Sequence, residues 1–274
     1  MNKGNTNQGR HGVESTSGAH TELSQAEATY RHLAFTELSE DLAFGLNIGF
    51  YRTFAIPEIA RVLSSTGRMT GQTELRAKTT GLMMYQMFRD GLDSVQGVQT
   101  VAALNRIHAR WQISNDDFLY VLACFDIAPM RWCDAYAWRR TTAAEKEASH
   151  VFYQGLAERM SIREVPPTWG EFAAWMDRYE QRHFTATPEA AELWAATSNI
   201  LVYRFPAIFS PLIRSAADAL LDKPLRKAFS ARRPPAAVRA LVSGSMRIRA
   251  HRIRRAHARP DYVPVLPPSV RELG

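Results

Sequence analysis

Hydrophobic residues recur with a helical period along most of the chain, from Leu23 to Leu221. Apolar positions spaced three and four residues apart line one face of a helix, and no alternating pattern of useful length indicates a strand. Glycine and proline are also too widely spaced for a β-sandwich. The pattern therefore predicts an all-α protein with helices at about 23–35, 37–48, 56–65, 71–90, 97–110, 114–127, 142–160, 168–184, 188–202 and 206–222.

The distribution of polar residues divides the chain into three parts. Residues 1–20 are rich in Gly, Ser and Asn, and we expect a disordered segment there because they hold almost no apolar surface to bury. Residues 21–222 form one helical domain, since nothing in the middle is typical of a linker. Residues 223–274 are expected to form a basic helix, at about 234–255, and a Pro-rich tail. We expect a cytoplasmic protein, because the N-terminal segment lacks the apolar stretch of a signal peptide.

Three predicted helices have recognisable start signals. Ser114 precedes two aspartates, an arrangement that supplies a hydrogen-bond acceptor and negative charge at a helix N-terminus. Thr168 is followed three residues later by Glu171, the spacing of a capping box. Thr70 is a further candidate cap.

Positive charge is concentrated near the C-terminus. Residues 223–260 contain 12 Lys and Arg residues and no Asp or Glu. The positive charge of this segment therefore exceeds the formal net charge of the whole chain, which is +7. Such a segment is either a solvated helix face or an arm for nucleic acid or anionic lipid. Few aromatic residues lie in the segment for base stacking, so nucleic acid is the less expected partner, and a peripheral membrane contact is the other alternative.

The signatures of common enzyme classes are absent from the sequence. There is no P-loop, no GxSxG, no HExxH and no CxxC pair, which leaves a buried cofactor or a metal as the expected source of any chemistry. His108 is one candidate ligand, because it shares a helical face with Val101 and Leu104, and Trp111 is expected to continue that face. The alternatives are a core histidine and a neutral imidazole bound to haem iron.

Three other groups of residues could bind a cofactor. Arg76 and Thr80 share a face with Met83 or Met84 and Met87, so the guanidinium either reaches solvent or pairs with a haem propionate. Cys133 is either a thiolate ligand or, as we expect, a small buried thiol. The last group consists of two Glu-x-x-His motifs, which resemble those of di-iron carboxylate proteins and contain Glu147, His150, Glu180 and His183.

Several segments together resemble the latex-clearing protein and MpaB oxygenase family. They are GFYRTFAIPEIARVL from Gly49, Arg76 with Thr80, NRIHARW around His108, and NDDFLYVLACFDIAPMRW from Asn115. The resemblance implies a single globin-like multi-helix bundle that encloses a pocket for non-covalent haem b. It also implies that His108 is the proximal ligand and that Arg76 and Thr80 lie across the haem.

The resemblance identifies further site residues and one departure from the family. Rubber oxygenases have a lysine just before the conserved threonine, where this chain has Thr79, with Lys78 one position earlier. A threonine cannot ligate the sixth position as lysine does, but it can form hydrogen bonds. Met83 is expected to line the haem pocket, and Glu58 is the nearest counterpart of the acidic residue that abstracts a proton.

The sequence therefore predicts a haem b-dependent oxygenase that uses O2 and an electron donor on a small apolar or amphipathic molecule. The expected reactions are oxidative cleavage of a carbon–carbon double bond and hydroxylation. Two alternatives remain at this point: a di-iron carboxylate oxidase that uses the two Glu-x-x-His motifs, and a non-enzymatic helical binding module with a basic tail.

Overall fold

Helices make up most of the part of the chain that the structure describes. The computed structural model describes residues 8–65, 73–202 and 206–266, with side chains described for residues 20–65, 79–200, 206 and 208–266. No strand occurs in these ranges, which confirms the predicted all-α class. The helices are α1 Gln8–His32, α2 Ser39–Arg52, α3 Pro57–Ser65, α4 Thr73–Asp90, α5 Val95–His108, α6 Asn115–Tyr136, α7 Ala143–Arg159, α8 Trp169–His183, α9 Pro188–Val202, α10 Ser210–Leu220, α11 Lys223–Ala228 and α12 Ala236–His257.

Capping side chains fix several of these helix starts. The Ser114 hydroxyl accepts a hydrogen bond from the backbone N–H of Asp117 at 3.1 Å, and Thr168 caps α8 in the same way. Both predicted caps are therefore confirmed. The reciprocal capping box, however, lies at the start of α7, where the side chains of Thr142 and Glu145 each bond the other's backbone N–H. Thr70 lies outside the described residues.

Two helices extend beyond their predicted limits. α1 begins at Gln8, inside the segment that the sequence predicts to be disordered, whereas residues 1–7 lie outside the described part. α6 continues through Pro129 to Tyr136, although its predicted end is residue 127. The division of the chain into three domains stays a prediction.

Two glycines of α2, Gly45 and Gly49, allow this helix to pack closely against α6. A Cβ atom on Gly45 would lie 2.4 Å from the Cα of Pro129, and one on Gly49 would lie 2.1 Å from the carbonyl oxygen of Cys124. Such distances are impossible for a real side chain, so the two backbones pack this closely only because both positions are glycine. Tertiary packing against α2 thus supports α6 at its proline and in the turn before it.

The side chains bury two hydrophobic clusters. The larger lies between α1, α4, α6, α7 and α8 and is centred on aromatic residues that include Tyr30, Phe88 and Phe152. The smaller lies between the turn after α2 and helices α3, α9, α10 and α11. Ile59 and Phe184 pack against both clusters. Within the residues described, none of the helices combines the length and the apolar character that a membrane span requires.

Candidate functional site

Helices α4 and α5 form a helical hairpin that positions the candidate ligand. Four residues connect them, including Gly91 at a φ of +84° and Ser94, whose hydroxyl caps α5. The short connection makes the packed helices antiparallel neighbours. Because both helices rise by about 1.5 Å per residue, we expect an antiparallel pair joined at residues 91–94 to bring the last turn of α5 near the turn of α4 that contains Arg76 and Thr80.

His108 is the last residue of α5 and lies at the edge of the core. Its side chain is partly exposed, but its Nδ1 atom is buried. The Phe118 ring meets the imidazole edge-on, with ring centroids 5.3 Å apart, and Leu104, one turn earlier, packs against the larger cluster. The predicted continuation of this face to Trp111 is wrong, because α5 ends at His108 and the Trp111 side chain is exposed.

The facing helix α4 presents both core and accessible side chains. Met84 and Met87 are buried in the larger cluster. Thr80 and Met83 are half-buried, and Thr79 is exposed. Arg76 lies in α4, but its side chain is outside the described part of the structure. His108 therefore lies on one, and Thr80 and Arg76 on the other, of two helices that pack against each other.

Glu58, the candidate proton acceptor, lies on a different helix. Its side chain is exposed and forms an ion pair with Arg61, one turn further along α3, at 2.7 Å. The main packing contacts of α3 are with α9 and with the turn at residues 53–55. Its assignment as a proton acceptor stays a prediction.

Both cysteines are free and buried. Burial raises the pKa of the Cys124 and Cys133 thiols well above the ordinary value for cysteine. They are therefore protonated at neutral pH, whereas a haem iron binds the thiolate. This agrees with the expectation that Cys133 is a small buried thiol.

The first Glu-x-x-His motif supplies a histidine that is already fully bonded. His150 is buried, with Nδ1 2.8 Å from Oδ2 of Asp126 and Nε2 2.9 Å from the carbonyl oxygen of Pro166. The Ser149 hydroxyl donates to the other oxygen of Asp126 at 2.7 Å. Burial by itself would lower the pKa of His150, but the hydrogen bond and charge of Asp126 outweigh it and raise this pKa. Neither imidazole nitrogen is left to bind a metal.

The second motif supplies a carboxylate that is also already bonded. Glu180 accepts hydrogen bonds from Arg52 at 2.7 and 2.5 Å and from the Tyr120 hydroxyl at 3.1 Å. The two remaining residues of the di-iron prediction, Glu147 and His183, have exposed side chains. The side chains that the structure describes contain no group of three or more His, Cys, Asp or Glu residues arranged to hold a metal ion. The two motifs therefore do not form a di-iron site.

Sequence reasoning missed the partners of these buried groups. Glu180 and Arg52 are 128 residues apart, and Asp126 and His150 lie on different helices. No spacing rule relates such pairs. Phe118 was missed for the same reason, although it lies four residues after the predicted cap Ser114.

The residues around His108 fit a haem better than a hydrolytic metal ion. A haem iron needs one neutral imidazole in largely apolar surroundings, and a partly buried imidazole that contacts Phe118 of α6 and lies one turn after Leu104 of α5 meets that need. A catalytic zinc ion would need about three protein ligands, and the described residues offer no such group.

Comparison with known proteins identifies the same oxygenase family that the sequence motifs resemble. The family described as "ER-bound oxygenase mpaB/B'/Rubber oxygenase, catalytic domain" matches residues 42–254. ER-bound oxygenase mpaB' of Penicillium brevicompactum is 26% identical over 196 residues, which cover 65% of this chain and 46% of that protein. ER-bound oxygenase mpaB of Penicillium roqueforti (strain FM164) is also 26% identical over 196 residues, covering 65% of this chain and 66% of that protein.

A solved structure supports the fold assignment. The structure of latex clearing protein LCP in the closed state superposes with a TM-score of 0.61 and covers 93% of this chain and 70% of that one. The sequence identity is 17%, so this likeness concerns the fold, which is that of the predicted all-α bundle. The family match extends over more than half of the chain, from α2 into α12. This chain therefore belongs to the family of mpaB-type and rubber oxygenase catalytic domains.

Proposed function

We propose that this protein is a haem b-dependent oxygenase that acts on a small apolar or amphipathic molecule, with His108 as the iron ligand and O2 as co-substrate. The observation that supports the proposal is the α4–α5 hairpin, in which the helix of His108 packs against the helix of Thr80 and Arg76. Its membership in a family of oxygenase catalytic domains supports the reaction class.

The chain would hold the haem through groups of both helices. His108 would ligate the iron through Nε2, since its Nδ1 atom is buried on the protein side. Phe118 limits rotation of the imidazole ring by packing edge-on against it. Arg76 would supply positive charge for the propionates, and Met83 would pack against the macrocycle. When bound, haem b supplies the site at which O2 is held and activated.

The remaining residues would define the substrate side of the site. Thr79 and Thr80 are the hydroxyl-bearing residues of the accessible face of α4, and each can donate or accept one hydrogen bond there. Ile107 and Trp111 flank His108 with exposed apolar side chains. An apolar rim of this kind favours a substrate with a hydrocarbon portion, because burying that portion is what drives its binding.

Absorption spectroscopy tests the haem assignment directly. The full chain, expressed with a haem precursor, should show a Soret band that shifts on reduction with dithionite, and His108→Ala should lose the band. His183→Ala is the matched control, because His183 ends α8 as His108 ends α5 and is an exposed residue of the former di-iron prediction. It should keep the full Soret band.

Two outcomes would contradict the proposal. A protein that takes up no haem from solution would refute haem dependence. A His108→Ala variant that keeps a full complement of haem and an unchanged spectrum would refute the ligand assignment. Circular dichroism of each variant separates loss of haem from loss of the helical fold, and metal analysis would detect any iron that is bound without a Soret band.

A further inference from the structure

The basic helix α12 is fixed against the body of the protein by its inward face. Arg249 donates to Asp41 at 2.5 Å and to Glu40 at 2.9 Å, and its guanidinium also lies over the Phe44 ring. At the C-terminal end, the His257 ring stacks on Trp138 with ring centroids 4.6 Å apart. The helix is therefore docked, and its opposite face points away from the protein.

That outward face combines cations with large apolar side chains. Leu241, Ile248, Arg252 and Arg255 follow one another at spacings of seven, four and three residues, which place them on one stripe of α12, and Arg259 follows two residues after the helix ends at His257. All five side chains are exposed, and Leu241 and Ile248 keep 63% and 57% of their surface accessible. We refer to these five residues as the outer stripe.

The arginines of the outer stripe have no acidic partners in the described part of the protein. None of Arg252, Arg255 and Arg259 lies within 4.0 Å of a described Asp or Glu side chain, whereas Arg249 on the inward face pairs with two. Their charge is thus available to an external anionic partner.

A second exposed apolar group lies on the neighbouring helix. α10 packs against α12, and Leu212 of α10 is exposed together with Ile208 and Phe209 in the turn that precedes it. Ile208 keeps 82% of its surface accessible. A nucleic acid would pair with the arginines but would leave the aliphatic side chains of Ile208 and Leu212 in water. An anionic lipid bilayer accommodates both, since its headgroups attract cations and its acyl boundary buries apolar side chains.

We propose that the outer stripe of α12, together with the exposed apolar residues Ile208, Phe209 and Leu212, docks this protein peripherally on an anionic lipid bilayer. The arginines supply the salt-sensitive attraction to the headgroups, and the apolar side chains supply a contribution that persists at high salt. This docking surface is independent of the haem assignment, because none of its residues belongs to the α4–α5 hairpin.

Vesicle binding by the full chain tests the proposal. The protein should co-sediment with vesicles of phosphatidylcholine mixed with phosphatidylserine, and it should bind vesicles of phosphatidylcholine alone far more weakly. Each arginine near an anionic surface raises partitioning by roughly fivefold at moderate salt. Replacing Arg252, Arg255 and Arg259 together by Gln should therefore weaken binding by roughly 100-fold.

Two further variants distinguish the outer stripe from general surface charge. The matched control replaces three exposed arginines on another part of the protein, Arg163, Arg178 and Arg182, by Gln and should bind like the wild type. A double variant, Leu241→Gln with Ile248→Gln, should lose the binding that remains at high salt while keeping the salt-sensitive part.

Several outcomes would overturn the proposal. It fails if the wild-type chain does not bind the mixed vesicles, or if the control triple variant loses as much binding as the variant of the outer stripe. It also fails if an RNA homopolymer displaces the protein from vesicles and binds with the same dependence on Arg252, Arg255 and Arg259, because nucleic acid would then be the partner. Circular dichroism of every variant verifies that the helical fold is retained.

Discussion

Replacing Glu180 by Gln should destabilise the protein through a buried ion pair that joins the two hydrophobic clusters. Arg52 ends α2 and Glu180 lies near the end of α8, and their side chains keep only 11% and 8% of their surface exposed. Glu180 is bound at both oxygens by the guanidinium and at one by Tyr120. The variant keeps the shape of the side chain but removes its charge and turns one acceptor into a donor, which would face the N–H groups of Arg52.

The structure sets the expected size of this effect. Removing one partner of a buried ion pair costs about 3–5 kcal/mol, because the other charge is left without compensation. Here Asp222 still contacts Nη1 of Arg52 at 2.5 Å, so the guanidinium keeps one counter-charge. We therefore expect a loss near the lower limit, about 3 kcal/mol, which corresponds to a decrease in Tm of roughly 6–12 °C for a protein of this size.

Asp222→Asn is the matched control for this prediction. The Asp222 side chain is 43% exposed, so its pair with Arg52 should contribute at most about 1 kcal/mol. Asn also keeps the N-cap of α11, where the side chain accepts a hydrogen bond from the N–H of Leu225 at 2.9 Å. Urea and thermal unfolding followed by circular dichroism would measure both variants. If Glu180→Gln were no more destabilising than Asp222→Asn, the buried pair would not have the role assigned to it.

Two further predictions concern packing and pH. Gly49→Ala should destabilise the protein by at least about 2 kcal/mol in urea unfolding, since the new methyl group would overlap the Cys124 carbonyl, whereas Gly170→Ala, with open space around it, should be neutral or slightly stabilising. Equal effects would contradict the packing argument. The raised pKa of His150 means that its stabilising contribution is complete below about pH 6.5 and is lost as pH rises through the folded-state pKa. Asp126→Asn should weaken that dependence of stability on pH. An NMR titration that gave a His150 pKa at or below about 6.5 in the wild type would disprove the argument that folding raises this pKa.

Local features of the sequence determined the helices and many of their limits. The helical period predicted the all-α class, and the caps at Ser114 and Thr168 were correct because an N-cap is a contact between residues three apart. The same local reasoning failed at Pro129, since a proline ends most helices but here lies in α6, packed against Gly45 of α2. That support comes from a residue 84 positions away and leaves no periodic signal.

The tertiary structure decided which candidate groups remain available for chemistry. The sequence offered two Glu-x-x-His motifs and a histidine on an apolar helix face, and periodicity alone could not rank them. Folding pairs His150 with Asp126 and Glu180 with Arg52, while His108 lies at the end of α5, which packs against the helix of Thr80. The physical reason is the distance along the chain over which each interaction acts. Hydrogen bonding within a helix depends on near neighbours in sequence, whereas the partner of a buried polar group depends on which helices pack together.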